Sequence, residues 1–298
     1  MMQLSGLFPP IPTPFQDGAF DAARMAANIE HWNDQPLDGY VVLGSNGEFP
    51  LLDESERASV VMSARKAVPS SRKLVVGTGR ESTRATIRST REAFDLGADA
   101  ALVGVPAYYK PAMTEGVLRD HFMRVADAAA GPLLLYSVPF FTALPISADL
   151  FGSLAAHERI IGIKESSGEA ATLAPMLQAA RSSGRSRSVL VGSARLLAAG
   201  IGMGAAGGVL AVANVAPRIC AEIVRLARVP DAAAAEALNA RLDPLTDAVT
   251  RRFGIGGLKA ALDLLHYFGG EPRSPLPPAS PEARAEIASR LRDLGLLT

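Results

Sequence analysis

The chain has 298 residues, 48% of them hydrophobic, and its 30 basic side chains balance 30 acidic ones. That length holds one barrel-sized domain or two average ones, and zero formal charge supplies no positive field for nucleic acid or anionic lipid. A single cysteine, Cys220, excludes an internal disulfide framework, and His31, His121, His157 and His266 lie too far apart in sequence for a zinc motif.

The N-terminus, "MMQLSGLFPPIPTPF", lacks the basic start and apolar core of a signal peptide, which fits a cytoplasmic protein. Apolar runs then recur: "GLFPPI" (6–11), "GYVVLG" (39–44), "KLVVGTG" (73–79), "AALVGVP" (100–106), "PLLLYSVP" (132–139), "IIGIK" (160–164), "SVLVGS" (188–193) and "GGVLAV" (207–212). Near-continuous apolar runs of this length are expected of parallel strands buried on both faces. The segments between them, such as "LDESERASVVMSARKAV", are amphipathic at helical spacing. Eight alternations predict an α/β fold, a (β/α)8 TIM barrel over residues 1–225 that carries the active site. A doubly wound sheet would place G-x-G-x-x-G in its first unit, where this chain has "PPIPTPF".

Leu196 to Ala213 runs without a charge and contains Gly204-x-x-x-Gly208, near the lower length limit of a membrane span. Its many glycines and alanines make it only weakly hydrophobic. The reading is a short helix, a turn and a buried strand, with no membrane partner. Residues 226–298 read as C-terminal helices packed on the barrel: "DAAAAEALNARLDPLTDAVTRRFG", "IGGLKAALDLLHYFGG" and "SPEARAEIASRLRDLG". The last opens with Ser280-Pro281-Glu282, proline standing at the first helical position.

The active site of such a barrel lies at the C-terminal strand ends. Strand two ends in "GSNGE" (44–48), strand four leads to "VPAYYKP" (105–111), strand five ends in "YSVP" (136–139) and strand six in Lys164. A lysine there either floats its head in water over the rim or is desolvated for a purpose. A lysine amine withdrawn from water gives up its proton more readily and attacks a carbonyl carbon. The resulting imine draws electrons from the adjacent carbon, permitting aldol cleavage or enamine condensation without a metal or cofactor. Tyr136 either packs at the barrel mouth or moves the protons this chemistry requires. Gly44-Ser45-Asn46-Gly47 is a turn that, leading into the acidic helix start "LLDESE", also offers backbone N–H groups to an anion. A 2-oxo acid supplies both the carbonyl and the carboxylate.

"GSNGE", "AYYKP", "YSVP" and "IGIKES", in this order and spacing, resemble the dihydrodipicolinate synthase / N-acetylneuraminate lyase family of class I aldolases and synthases, over nearly the whole chain. Within it, "GSNGEFP", "LYSVP", "LVGSA", "AVANV" and "TRRFGIGGLK" are most similar to 4-hydroxy-2-oxoglutarate aldolase. The resemblance implies that Lys164 forms the imine and Tyr136 moves the proton. Ser45 and Asn46 would hold the substrate carboxylate, Ser45 in a relay with Tyr136, while Ser166 and Gly192 line the pocket. Tyr109 would enter the adjacent subunit's site, in a homotetramer built as a dimer of dimers.

Two departures bear on substrate. The family's synthases carry an arginine for the aldehyde's carboxylate where this chain has Phe141, and the hydroxyoxoglutarate aldolases carry Ala-Asn where it has Phe140-Phe141. The leading expectation is cleavage of 4-hydroxy-2-oxoglutarate to pyruvate and glyoxylate, ahead of another 2-oxo-3-deoxy acid and of dihydrodipicolinate synthesis. The non-enzymatic alternative, a silent 2-oxo-acid-binding protein, sits poorly with the joint presence of Lys164, Tyr136, Ser45 and Tyr109. The far carboxylate of hydroxyoxoglutarate needs donors or a cation. Either the two rings pack elsewhere and leave Ser45 and Asn46 to hold it, or Arg80 of "GTGRES" reaches in rather than standing at the surface, or the true substrate has a less polar tail.

Overall fold

A computed structural model describes residues 2–229 and 232–298; Pro230 and Asp231, within the predicted tail, lie outside them. Each of the eight apolar runs forms a strand, β6 extending one residue past its run: β1 (Gly6–Phe8), β2 (Gly39–Val42), β3 (Lys73–Gly77), β4 (Ala100–Gly104), β5 (Leu133–Ser137), β6 (Ile160–Glu165), β7 (Ser188–Val191) and β8 (Gly207–Val209). All pair in parallel, in the order β1-β8-β7-β6-β5-β4-β3-β2. The ring closes where Ile11 N donates to Val41 O at 2.9 Å and Val41 N to Pro9 O at 3.0 Å. This is the predicted TIM barrel. One pair of strands was outside the prediction: Phe15–Gln16 and Ala19–Phe20 form a hairpin around Asp17-Gly18. Both turn residues take positive φ, which Asp-Gly tolerates well.

The helices are α1 (Ala22–Asn33), α2 (Glu54–Ala67), α3 (Thr83–Asp95), α4 (Glu115–Ala128), α5 (Pro139–Thr142) and α6 (Ala148–Leu154). They continue with α7 (Ala170–Ser182), α8 (Leu197–Gly202), α9 (Pro217–Ala227), α10 (Ala232–Asp247), α11 (Gly254–Leu264) and α12 (Pro281–Asp293). Asp21, Asp53, Ser82, Thr114, Ser147 and Ser280 each cap a helix by accepting a backbone N–H, a contact typically worth about 1 kcal/mol. Phe8, Val41, Val75, Leu102, Leu134, Ile161, Leu190 and Val209 fill the barrel, and a second apolar layer joins strands to helices.

Leu196 to Ala213 resolves into α8, a turn and β8, and no helix among the described residues is long and apolar enough to cross a membrane. In the tail, α10 does not run on to Gly254 as one regular helix. It passes into a single π-helical turn, Ala248–Arg252, marked by Phe253 N donating to Ala248 O at 3.3 Å. The next helix stops at Leu264, short of "HYFGG", where His266 and Gly270 take positive φ. The tail is tied to the barrel by Asn239, which accepts Ala198 N at 2.9 Å and donates to Ala194 O at 3.0 Å.

Candidate active site

Strict alternation along β6 would turn Lys164 away from the barrel, because Ile161 faces the interior three residues earlier. The register resolves this. Leu133 pairs with Ile160 but Leu134 pairs with Gly162, so Ile161 is an extra residue, a β-bulge. Beyond it Ile163 faces outward with Leu135, and Lys164 faces inward beside Tyr136. Gly162 permits the bulge, since a Cβ there would overlap the Ser188 carbonyl. Lys164 is only 4% exposed, and its Nζ lies 4.1 Å from the centre of the Tyr136 ring.

Tyr136 Oη in turn lies 3.3 Å from Ser45 Oγ. Ser45, Asn46 and Gly47 form a 3-10 turn at the end of β2. Gly47 N and Glu48 N close that turn on Gly44 O and Ser45 O, so these two amides do not face an anion. Nor does the start of α2, where Asp53 and Glu56 cap each other reciprocally. The expected backbone anion site therefore narrows to Ser45 and Asn46 themselves.

A cavity of about 130 Å³ opens above Lys164, lined also by Tyr136, Ser45, Asn46, Ser166 and Gly192. Ser166 Oγ is buried without a hydrogen-bond partner among the described residues, and Gly192 passes so close that a Cβ on it would overlap that oxygen. Six of the seven predicted site residues thus meet at one cavity. Tyr109 does not. It is 71% exposed, stacked edge-on against Tyr108 at 4.9 Å and outside its own chain's cavity. Phe140 and Phe141 are 65% and 59% exposed and line the cavity rather than packing into the barrel. Arg80 is not a surface arginine either. It is half-buried, donates to Gly79 O at 2.8 Å, and lines an adjoining cavity of about 540 Å³ that also touches Ser45, Tyr136 and Phe141. Burial pulls its pKa down to about 10.

Residues 3–294 match the dihydrodipicolinate synthetase family. The chain belongs to that family. It is 35% identical over 99% of its length to an uncharacterized DapA-like lyase of Halobacterium salinarum, of which 95% is covered. It is 34% identical to a 4-hydroxy-tetrahydrodipicolinate synthase of Sphingopyxis alaskensis, over 98% of this chain and 99% of that one. Among solved structures, a monomeric dihydrodipicolinate synthase variant superposes with a TM-score of 0.93 at 27% identity, covering 99% of this chain and 98% of that one. A prophage member of the family from E. coli K12, in complex with pyruvate, gives 0.91 at 28% identity, covering 98% and 99%. As a member of the dihydrodipicolinate synthetase family, the protein is a pyruvate-dependent carbon–carbon lyase of the Schiff-base class.

Two groups of residues at this family site carried no assignment in the sequence reading. Thr246, Val249, Thr250 and Arg251, from the end of α10 and its π turn, form one wall of the cavity. Thr250 and Arg251 open the motif "TRRFGIGGLK", which carried no role, while Thr246 and Val249 precede it with no signal of their own. The second group is a charged network under the Ser45 turn, buried at Glu48 and Lys259 and half-buried at Arg273 and Glu56. Glu48 accepts Arg273 N at 2.7 Å and stands 2.7 Å from Lys259 Nζ, while Arg273 holds Glu56 through both guanidinium nitrogens at 2.6 Å. Arg273 keeps the Glu56 carboxyl below its usual range. Charged residues some 200 positions apart give no sequence signal that they meet.

Proposed function

We propose that the protein is a class I aldolase that splits a 4-hydroxy-2-oxo acid into pyruvate and an aldehyde, with 4-hydroxy-2-oxoglutarate its leading substrate and glyoxylate the second product. The observation that carries this reading is the Lys164–Tyr136–Ser45 line at the cavity floor. The Lys164 amine adds to the C2 carbonyl, Tyr136 gives its proton to the carbinolamine hydroxyl, and that hydroxyl leaves as water to form a protonated imine. Tyr136, relayed through Ser45, takes the proton of the C4 hydroxyl. The C3–C4 bond breaks, its electron pair passing into the imine as an enamine, and the aldehyde departs. Protonation at C3 and hydrolysis then release pyruvate and restore Lys164. Ser45, Asn46 and the unpartnered Ser166 hydroxyl suit the C1 carboxylate, and the close approach of Gly192 shapes the wall beside it.

Tyr109, exposed on its own chain, is suited to complete the site of a second copy, which makes a homo-oligomer part of the proposal. Dihydrodipicolinate synthesis is the second reading, favoured by the names of relatives such as that of Sphingopyxis alaskensis. Against it, Phe141 supplies no cation for an aldehyde carboxylate. The test is pyruvate release from a panel of 4-hydroxy-2-oxo acids with different tails, run beside an assay for synthase activity. Preference for hydroxyoxoglutarate supports the leading reading. Preference for apolar or sugar-acid tails, or synthase activity alone, replaces it. Inactivity throughout returns the silent binding protein.

A further inference from the structure

We infer that Arg251, with Thr246 beside it, receives a carboxylate at the far end of the substrate, so that the site selects dicarboxylic 2-oxo acids. The inference rests on the reading that Lys164 holds C2 of a 2-oxo acid in this cavity. Its starting point is the charge of the lining. Lys164 and Arg251 are the cationic side chains on the cavity wall, and no Asp or Glu is among the residues that line it. Among the described residues Arg251 meets no hydrogen-bond or ion-pair partner. A guanidinium left free at a cavity rim presents a planar pair of donors matched to a carboxylate.

Thr246 is the second, independent observation. It is 4% exposed, lines the same cavity, and its Oγ1 has no hydrogen-bond partner among the described residues. A buried hydroxyl in that state is costly unless something completes it. Thr250, one turn on, has its hydroxyl committed to Thr246 O at 2.6 Å, which leaves Thr246 the free donor of the pair. The π turn explains why Arg251 joins them. Thr246, Val249 and Thr250 share a face at helical spacing, and the wider turn from Ala248 to Arg252 carries the next residue round toward it. Such turns recur at functional sites.

The rival cation is Arg80. Its guanidinium is already engaged with Gly79 O, and it faces the neighbouring cavity instead. Phe140 and Phe141, on the short α5, give a carboxylate nothing to bind, and Phe141 lines both cavities. Lys164 and Arg251 therefore line one cavity, free of carboxylates, that suits a dianion.

Two non-cleavable ligands test this without turnover: 2-oxoglutarate, and 2-oxopentanoate, which has a methyl group in place of the far carboxylate. Each is titrated for protection of Lys164 against labelling by pyruvate and borohydride. The native protein is expected to need roughly ten- to a hundredfold less 2-oxoglutarate, the range of a charge-assisted hydrogen bond. Arg251→Met should abolish the preference, Arg251→Lys restore part of it, and Arg80→Met leave most of it. No preference in the native protein, its survival in Arg251→Met, or its loss in Arg80→Met overturns the inference while the imine reading stands. Failure of pyruvate to label Lys164 at all defeats that reading first, and this inference with it.

Discussion

Lys259 Nζ stands 2.7 Å from Glu48 Oε1, and both side chains are fully buried. Glu48 directly follows the Ser45–Gly47 turn, while Lys259 comes from α11 and also donates to Glu271 O at 3.0 Å. Glu48 holds left-handed backbone, φ 57°, a conformation that a non-glycine residue keeps only under local constraint. The pair therefore anchors the turn that presents Ser45 and Asn46 to the cavity.

Removing one partner strands a buried charge. Lys259→Met or Glu48→Gln should each cost about 3–5 kcal/mol of stability. The double variant should be less damaged than the two losses summed, because no lone charge remains. A denaturant double-mutant cycle measures this; additive losses would show that the two residues are not coupled.

Tyr136→Phe keeps the ring over Lys164 but removes the hydroxyl that meets Ser45. Turnover should fall roughly 10²–10⁴-fold. Pyruvate should still be trapped on Lys164 by borohydride, more slowly. Near-native turnover would make Tyr136 a wall of the cavity only.

Gly162→Ala tests the bulge in β6. The added methyl meets the Ser188 carbonyl, so the strand must shift or the bulge must close. A loss of about 1–3 kcal/mol is expected from overpacking, accompanied by loss of pyruvate trapping that Tyr136→Phe does not show. A folded variant that traps pyruvate at the native rate would remove the bulge from the account of Lys164.

For Tyr109, inactive Tyr109→Phe protein mixed with inactive Lys164→Ala protein should regain some activity through mixed oligomers. The readout is pyruvate release after demonstrated subunit exchange. Exchange without recovery would mean that Tyr109 serves its own chain or no site at all.

His121 sets an acid limit on stability. Burial pulls its pKa down to about 4, with Asp120 opposing only in part, while Nδ1 meets Thr83 Oγ1 at 2.9 Å. The folded protein holds this imidazole neutral, whereas the unfolded chain protonates it near pH 6.5. Its contribution is thus intact above about pH 6.5 and drains away as pH falls toward 4, by up to about 3 kcal/mol. Unfolding of His121→Gln should depend less steeply on pH across that window. An unchanged slope would assign the acid sensitivity to other groups.

The barrel was legible because burial on both faces leaves long apolar runs, and seven of the eight strands lie inside one, β6 reaching a single residue beyond. Lys164 was legible for the converse reason, a charge ending such a run. What stayed hidden depended on register and on contacts across the chain. The bulge at Ile161 is invisible in "IIGIK", since both orientations of the run read as apolar. The π turn looks like an ordinary continuation of α10, because one added residue does not disturb the composition of "DAVTRR". Thr246 and Arg251 needed the folded tail to reveal the cavity they face, and Arg80 needed its loop to show that it folds back on Gly79.

The division of the cavity between strands and tail has an evolutionary consequence. The placement of Lys164 is fixed by hydrogen bonding within the barrel, whereas Thr246 and Arg251 belong to a terminal segment that recombination can exchange in one piece. Selection can therefore revise which tails the enzyme accepts while inheriting its bond-breaking apparatus unchanged. The freedom has one restriction. An incoming segment must bring a cation to the place of Lys259, or the graft leaves the buried Glu48 carboxyl without its partner beneath the turn it supports. Chimeras that respect this partnership should be recovered as folded proteins far more often than those that break it.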